Sequence, residues 1–265
     1  MDLGLHGRVA IVCAASQGLG RAVALGLARE GVHAVICSRN RRRITQAARE
    51  LQADPRVRTT VVPMVADLTR APDVRALVER TVRRFGRIDI LVTNAGGPPV
   101  AAFMDLDDRT WERGVRLTLM SAVRCIRAVL PHMRRRRWGR IVNITSIAAR
   151  QPIDDLVISS TLRPGVLGMA KVLANRHAHE GITVNSVTPG FILTGRQEEI
   201  AEARGSALGI SRTQYLRRVA REIPARRLGT PDELAHAVVF LASERASYIN
   251  GTTLSVDGGL SKGLY

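Results

Sequence analysis

Val9-Ala-Ile-Val-Cys-Ala-Ala-Ser-Gln-Gly-Leu-Gly-Arg21 is a short apolar run that breaks into a glycine turn and then into a helical pattern. A continuous apolar run of this length suits a strand buried on both faces, as in a parallel sheet covered by helices. The pattern repeats along the chain. Strands are expected at Val9–Cys13, Ala34–Cys37, Val61–Ala66, Ile88–Thr93, Arg140–Ile144, Thr183–Val187 and Thr252–Val256. Between them lie helical periodicities at Arg21–Arg29, Ile44–Leu51, Val74–Phe85, Val115–Met133 and Leu167–His179. Strand and helix in alternation imply right-handed crossovers, so the expected fold is α/β, a single doubly wound parallel sheet of the Rossmann type with about seven strands and helices on both faces.

The chain has 265 residues and is 45% hydrophobic, enough to bury one large core. No composition break or linker divides it, and residues 1–265 read as a single domain. The longest interval without a strand, residues 191–230, holds helical stretches at Glu198–Arg204 and Tyr215–Glu222. It follows a strand end, where ligands bind in such sheets, and is expected to cover the substrate.

Charge excludes less than it first suggests. The net charge is +17, carried by arginine with only Lys171 and Lys262 as lysines. A nucleic-acid binder needs aromatics to stack bases, but the chain is 3% aromatic and its basic runs are scattered near helix ends. The runs read as solvated, dipole-compensating surface, and no nucleic-acid partner is expected. Three cysteines in apolar contexts, no membrane-length apolar run and no secretory leader point to a reduced, cytoplasmic protein without a membrane partner.

The turn after the first strand offers a cofactor site. Ser16, Gln17, Gly18, Leu19 and Gly20 let backbone N–H groups approach a pyrophosphate at the helix N-terminus, where partial positive charge favours an anion. The second strand ends in Ser38, Arg39 and Asn40, where an acidic residue would take a ribose 2′-hydroxyl. Arginine there suits a 2′-phosphate, so NADP is the expected cofactor and NAD the weaker alternative.

Further motifs stand in a fixed order: Ala66-Asp67-Leu68, Thr93-Asn94-Ala95-Gly96-Gly97, Gly139 to Ser146, Pro189-Gly190-Phe191-Ile192 followed by Thr194, and Arg227 to Ala235 through Asp257. Together with the glycine turn they resemble the short-chain dehydrogenase/reductase family over residues 7–260. That resemblance implies an NADP(H)-dependent oxidoreductase interconverting a ketone and an alcohol. It assigns Asp67 and Leu68 to the adenine, and Asn94, Ala95 and Gly96 to the trough. Pro189, Gly190, Phe191, Ile192 and Thr194 fall at the nicotinamide end. The family uses a serine, a tyrosine, a lysine and an asparagine. Here Ser146 matches the serine, while Ser159, Arg163 and Thr118 stand at the other three positions, with Arg163 also expected to hold the ribose. A branch of the family with serine and arginine at two of these places, generally described as ketoacyl reductases, is similar. Ala14 replaces the first glycine of the turn and is tolerable if its φ stays negative.

These substitutions bear on the reaction. An aliphatic hydroxyl is a far poorer acid than a phenol, and serine is shorter than tyrosine. Loss of a general acid costs about 10²–10⁴-fold without abolishing hydride transfer. The alternative is a non-redox enzyme, performing dehydration, cyclisation or isomerisation of a carbonyl compound, or a silent binding protein on the same fold. Tyr215 could stand in as donor, although Leu216 and Val219 make it part of an apolar stripe. Asp154 and Asp155 are expected to cap the Ser159 helix, or else to form an acid–base pair. His177 and His179 face different ways, so no metal site is expected, and His132 reads as a cation at a helix end. Family resemblance further implies a homodimer or homotetramer acting on a small carbonyl or alcohol substrate.

Overall fold

The computed structural model describes residues 1–263, so the last two residues of the expected domain lie outside the described residues. Seven parallel strands run β1 (Val9–Val12), β2 (His33–Ser38), β3 (Val61–Val65), β4 (Ile90–Thr93), β5 (Gly139–Ile144), β6 (Ile182–Pro189) and β7 (Thr253–Val256). They stand in the order β3-β2-β1-β4-β5-β6-β7, all pairs parallel. The doubly wound α/β sheet expected from the sequence is therefore present. The order reverses direction between β1 and β4, which opens a crevice at their carboxyl ends.

Alternation along the strands explains the continuous apolar runs. Ala10 and Val12 of β1 enter one core while Ile11 enters the other. Ala34 and Ile36 of β2, and Ile90 and Val92 of β4, join the first core; Val35 and Leu91 join the second. Helices α1 (Gly18–Arg29), α2 (Arg41–Gln52) and α9 (Pro231–Leu241) close the first layer. The second is closed by α3 (Ala71–Phe85), α5 (Met120–Arg136) and α6 (Val157–His177). The short helix α4 (Asp108–Gly114) runs through a π-helical stretch, Val115–Leu119, into α5.

Residues 191–230 contain α7 (Gly195–Ala207) and α8 (Arg212–Glu222), which carry a small core of their own. Ala201, Tyr215, Val219 and Ile223 are buried there against Phe191, Leu216 and Leu228. Tyr215 is thus a packing residue, as its apolar stripe suggested.

Four side chains depart from expectation. Ala14 sits at φ 49°, in the left-handed region and not at negative φ. The turn geometry overrides the methyl group's preference, at a cost of about 1 kcal/mol. The cationic form of His132 is disfavoured: burial, with Arg135 beside it, pushes its pKa down. Because arginine can only donate, the 2.8 Å contact from Arg135 Nη2 makes His132 Nδ1 the acceptor. Neither aspartate caps α6. Leu156 occupies the N-cap with no side-chain bond, and Asp155 pairs with Arg204 instead.

Cys13, Cys37 and Cys125 are free and buried on the α5 side of the sheet. Cys13 Sγ lies 3.9 Å from Cys125 Sγ. Contact with Cys125, together with burial, pushes the Cys13 thiol well up; contact with Cys13 and burial do the same to Cys37.

Candidate functional site

A cleft of about 470 Å³ opens at the crevice between β1 and β4. One end is built by the glycine turn. Gly18 adopts φ 57°, and a Cβ on Gly20 would lie 2.6 Å from the Ala14 carbonyl oxygen, so only glycine lets α1 close onto the turn. Gln17, at the N-cap, is extended and makes no side-chain cap, and the first turn of α1 holds no acidic residue. The first N–H groups of α1 and its positive dipole end are therefore left for an anion.

Ser38, Arg39, Asn40 and Arg43 form the adjoining rim. Asn40 caps α2 by accepting from Arg43 N at 2.9 Å, and Ser38 Oγ donates to the Asn40 carbonyl at 3.3 Å. These bonds fix the corner and leave the Arg39 guanidinium without a hydrogen-bond or ion-pair partner among the described residues. Asp67 and Leu68 line the side wall, where Asp67 Oδ1 accepts from Thr69 N and Oγ1. Asn94, Ala95 and Gly96 line the floor.

Ser146, Ser159 and Arg163 lie at the deeper end with Pro189, Gly190, Ile192 and Thr194. Ser146 Oγ accepts from Ala148 N at 3.1 Å, which fixes it at the end of β5. Ser159, only 3% exposed, accepts from Arg163 Nε at 2.8 Å. Arg163 Nη1 donates to the Thr145 carbonyl at 2.6 Å. Burial lowers the Arg163 pKa to about 10, so it stays cationic at neutral pH.

Three expected site residues are placed elsewhere. Gly20 packs against the turn and does not line the cleft, because its role is close approach of backbone. Phe191 turns into the α7–α8 core. Thr118, 6% exposed, lies behind Arg163, where it lines a separate cavity of about 20 Å³ with Thr93, Asn94 and Ser121. Its Oγ1 has no protein partner among the described residues. A space of that size suits about one water.

Residues that sequence reasoning missed also line the cleft. Thr145 anchors Arg163 through its carbonyl, a backbone role that no side-chain motif reports. Arg196, Gln197 and Ile200 of α7 form one wall; Gln197 and Ile200 are one turn apart after Thr194, a spacing that could have found them. Leu117, Leu156, Pro98 and Val100 make the substrate end apolar. Among the described residues no cluster could hold a metal ion, and no helix is long and apolar enough to cross a membrane.

A family model described as Enoyl-(Acyl carrier protein) reductase matches residues 13–261. A 3-oxoacyl-[acyl-carrier-protein] reductase of Thermotoga maritima is 32% identical, covering 97% of this chain and 98% of its own. A short-chain reductase of Streptomyces niveus is 36% identical over 95% of this chain and 93% of its own. The crystal structure of L-sorbose reductase from Gluconobacter frateurii, complexed with NADPH and L-sorbose, is 37% identical. It superimposes with a TM-score of 0.94, each chain covered completely.

Proposed function

The chain belongs to the short-chain dehydrogenase/reductase family, and we propose that it is an NADP(H)-dependent reductase of a small ketone. The observation that carries this reading is the cleft itself. An uncapped helix N-terminus, a free guanidinium at the β2 corner and two serine hydroxyls line one continuous trough. The NADPH found with the sorbose reductase supports the choice of cofactor.

The donor set fits a phosphorylated dinucleotide. The N–H groups at the start of α1 would hold the pyrophosphate, and Arg39 with Ser38 would hold the 2′-phosphate. Asp67 and Leu68 would meet the adenine, Asn94 to Gly96 would line the trough, and Thr194 would meet the nicotinamide carboxamide. When bound, the reduced nicotinamide supplies a hydride to the carbonyl carbon. Ser146 polarises the carbonyl by donating to its oxygen, and Ser159 supplies the proton. The apolar end favours a substrate with a hydrocarbon body next to its carbonyl. Residues 191–230 act as the substrate cover. Assembly into a homodimer or homotetramer would use the outer faces of α5 and α6, where Val172 is 67% exposed.

Fluorescence titration with NADPH tests the cofactor half, and its oxidation with a panel of ketones tests the reaction. Binding in the micromolar range and turnover lost on Ser146→Ala are expected. No binding at millimolar NADPH overturns the reading. Binding without turnover of any ketone favours the non-redox alternative, which the exchange of a phenol and an amine for Ser159 and Arg163 motivates.

A further inference from the structure

We infer that Ser159 and Arg163 form a proton-donating pair, in which Ser159 is the catalytic acid and Arg163 the positioning residue that aims its hydrogen into the cleft. The inference rests on the reductase reading above and goes beyond it by giving Arg163 a task other than holding ribose.

The argument begins with what each group can do. A guanidinium has only donors, so the 2.8 Å contact with Arg163 Nε makes Ser159 Oγ the acceptor without ambiguity. A hydroxyl has one hydrogen, and that hydrogen needs its own acceptor. Helical hydroxyls commonly bond back to the carbonyl four residues earlier. Thr81 does so to Leu77 at 2.8 Å, and Ser121 does so to Leu117. Ser159 does not: the Asp155 carbonyl, four residues back, accepts from Ala101 N. Among the described residues Ser159 donates to nothing, yet its side chain lines the cleft. Its hydrogen is left for a ligand.

Arg163 is held in place from the other side. Nη1 bonds the Thr145 carbonyl at 2.6 Å, so the guanidinium plane is pinned between the end of β5 and the first turns of α6. No carboxylate pairs with it among the described residues, so its charge is not neutralised by another side chain. Such a charge is costly to bury, and its natural compensation is negative charge developing beside it. Ser146 shows the same logic: it accepts from Ala148 N and donates to nothing among the described residues. Two hydroxyls of the same cleft, each fixed by an incoming N–H, thus keep a hydrogen free for a ligand.

The step balances simply. As the carbonyl carbon gains the hydride from a reduced nicotinamide, the carbonyl oxygen takes the hydrogen of Ser159. The ketone is reduced to the alcohol and the nicotinamide is oxidised. Ser159 is left as an alkoxide held by Arg163 Nε–H and recovers its proton from cleft water.

The test uses the full chain with NADPH and three probe ketones: ethyl acetoacetate, acetoacetyl-N-acetylcysteamine and L-sorbose. For the best probe, Ser159→Ala should lower kcat about 10²–10⁴-fold, the range for loss of a general acid. Ser159→Thr keeps the hydroxyl and should retain activity within about tenfold. Arg163→Gln should cost a similar factor, and the double variant Ser159→Ala with Arg163→Gln should cost no more than the worse single one, because the two act as a unit. The readout apart from turnover is stability: removing a charge without a carboxylate partner should leave Tm unchanged or raised in Arg163→Gln. Additive losses, or a Tm several degrees lower in that variant, would mean a structural role and overturn the pair. Ser159→Ala turning over at the wild-type rate overturns it as well. NADPH binding with no reduction of any probe overturns the pair while keeping the cofactor site; absence of NADPH binding overturns the functional reading itself.

Discussion

Arg204 of α7 reaches the carboxylate of Asp155, the residue that precedes the N-cap of α6. Its other terminal nitrogen donates to the Tyr215 hydroxyl on α8 at 3.1 Å. One arginine therefore joins the cleft wall, its supporting helix and the mouth of the Ser159 helix. Both partners of the ion pair are partly exposed, so it contributes about 0.5–1 kcal/mol. Asp155→Ala should accelerate amide exchange across α7 and α8 by about two- to fivefold and leave the central sheet unaffected. Exchange measured by mass spectrometry checks this, and a uniform change across the chain would contradict it.

Arg39 sets cofactor preference. Charge-assisted hydrogen bonds are worth about 1.5–3 kcal/mol, so Arg39→Ala should weaken NADPH about 10- to 100-fold and change NADH affinity little. Titration of both dinucleotides by fluorescence separates this from a general loss of binding.

Ala14 is a site for stabilisation. Glycine carries no Cβ penalty at φ 49°, so Ala14→Gly should raise stability by about 1 kcal/mol and Tm by about 2 °C. Differential scanning fluorimetry reads this directly. A lower Tm would mean that the methyl group packs usefully.

Two paired glutamates set an acid limit. The Arg134 guanidinium, with His177, holds the Glu180 carboxyl down at about 2. Arg227 and the Thr230 N–H do the same for Glu233, at about 2. A carboxylate with a folded-state pKa below its unfolded value stabilises above the unfolded pKa and loses that contribution as pH falls through the folded one. Tm should therefore fall as pH drops from about 4.5 towards about 2, less steeply in Glu233→Gln, and high salt should blunt the effect.

The architecture was legible because both faces of the sheet are buried, which writes each strand as an unbroken apolar run. Helix limits were harder to read. The helical periodicity is clear only over Leu167–His179, although α6 begins at Val157. Pro164 is the eighth residue of α6, beyond its first turn, so the helix forgoes one backbone bond there and continues through it. Most of the cofactor trough was also visible, since its residues follow strand ends in order. What the sequence could not convey is which hydrogen bonds each polar group spends. The contact of Arg163 with a carbonyl 18 residues away, the recess holding Thr118 and the pairing of Asp155 with Arg204 all depend on where separate elements meet.

The sulfur trio beneath the glycine turn gives the folded chain an internal clock. Cys13 is sealed from solvent and its thiolate is disfavoured, so an alkylating reagent must wait for the central strands to part. The pace of its labelling by iodoacetamide would count those openings, and a dinucleotide seated above it should slow the count by tightening the turn.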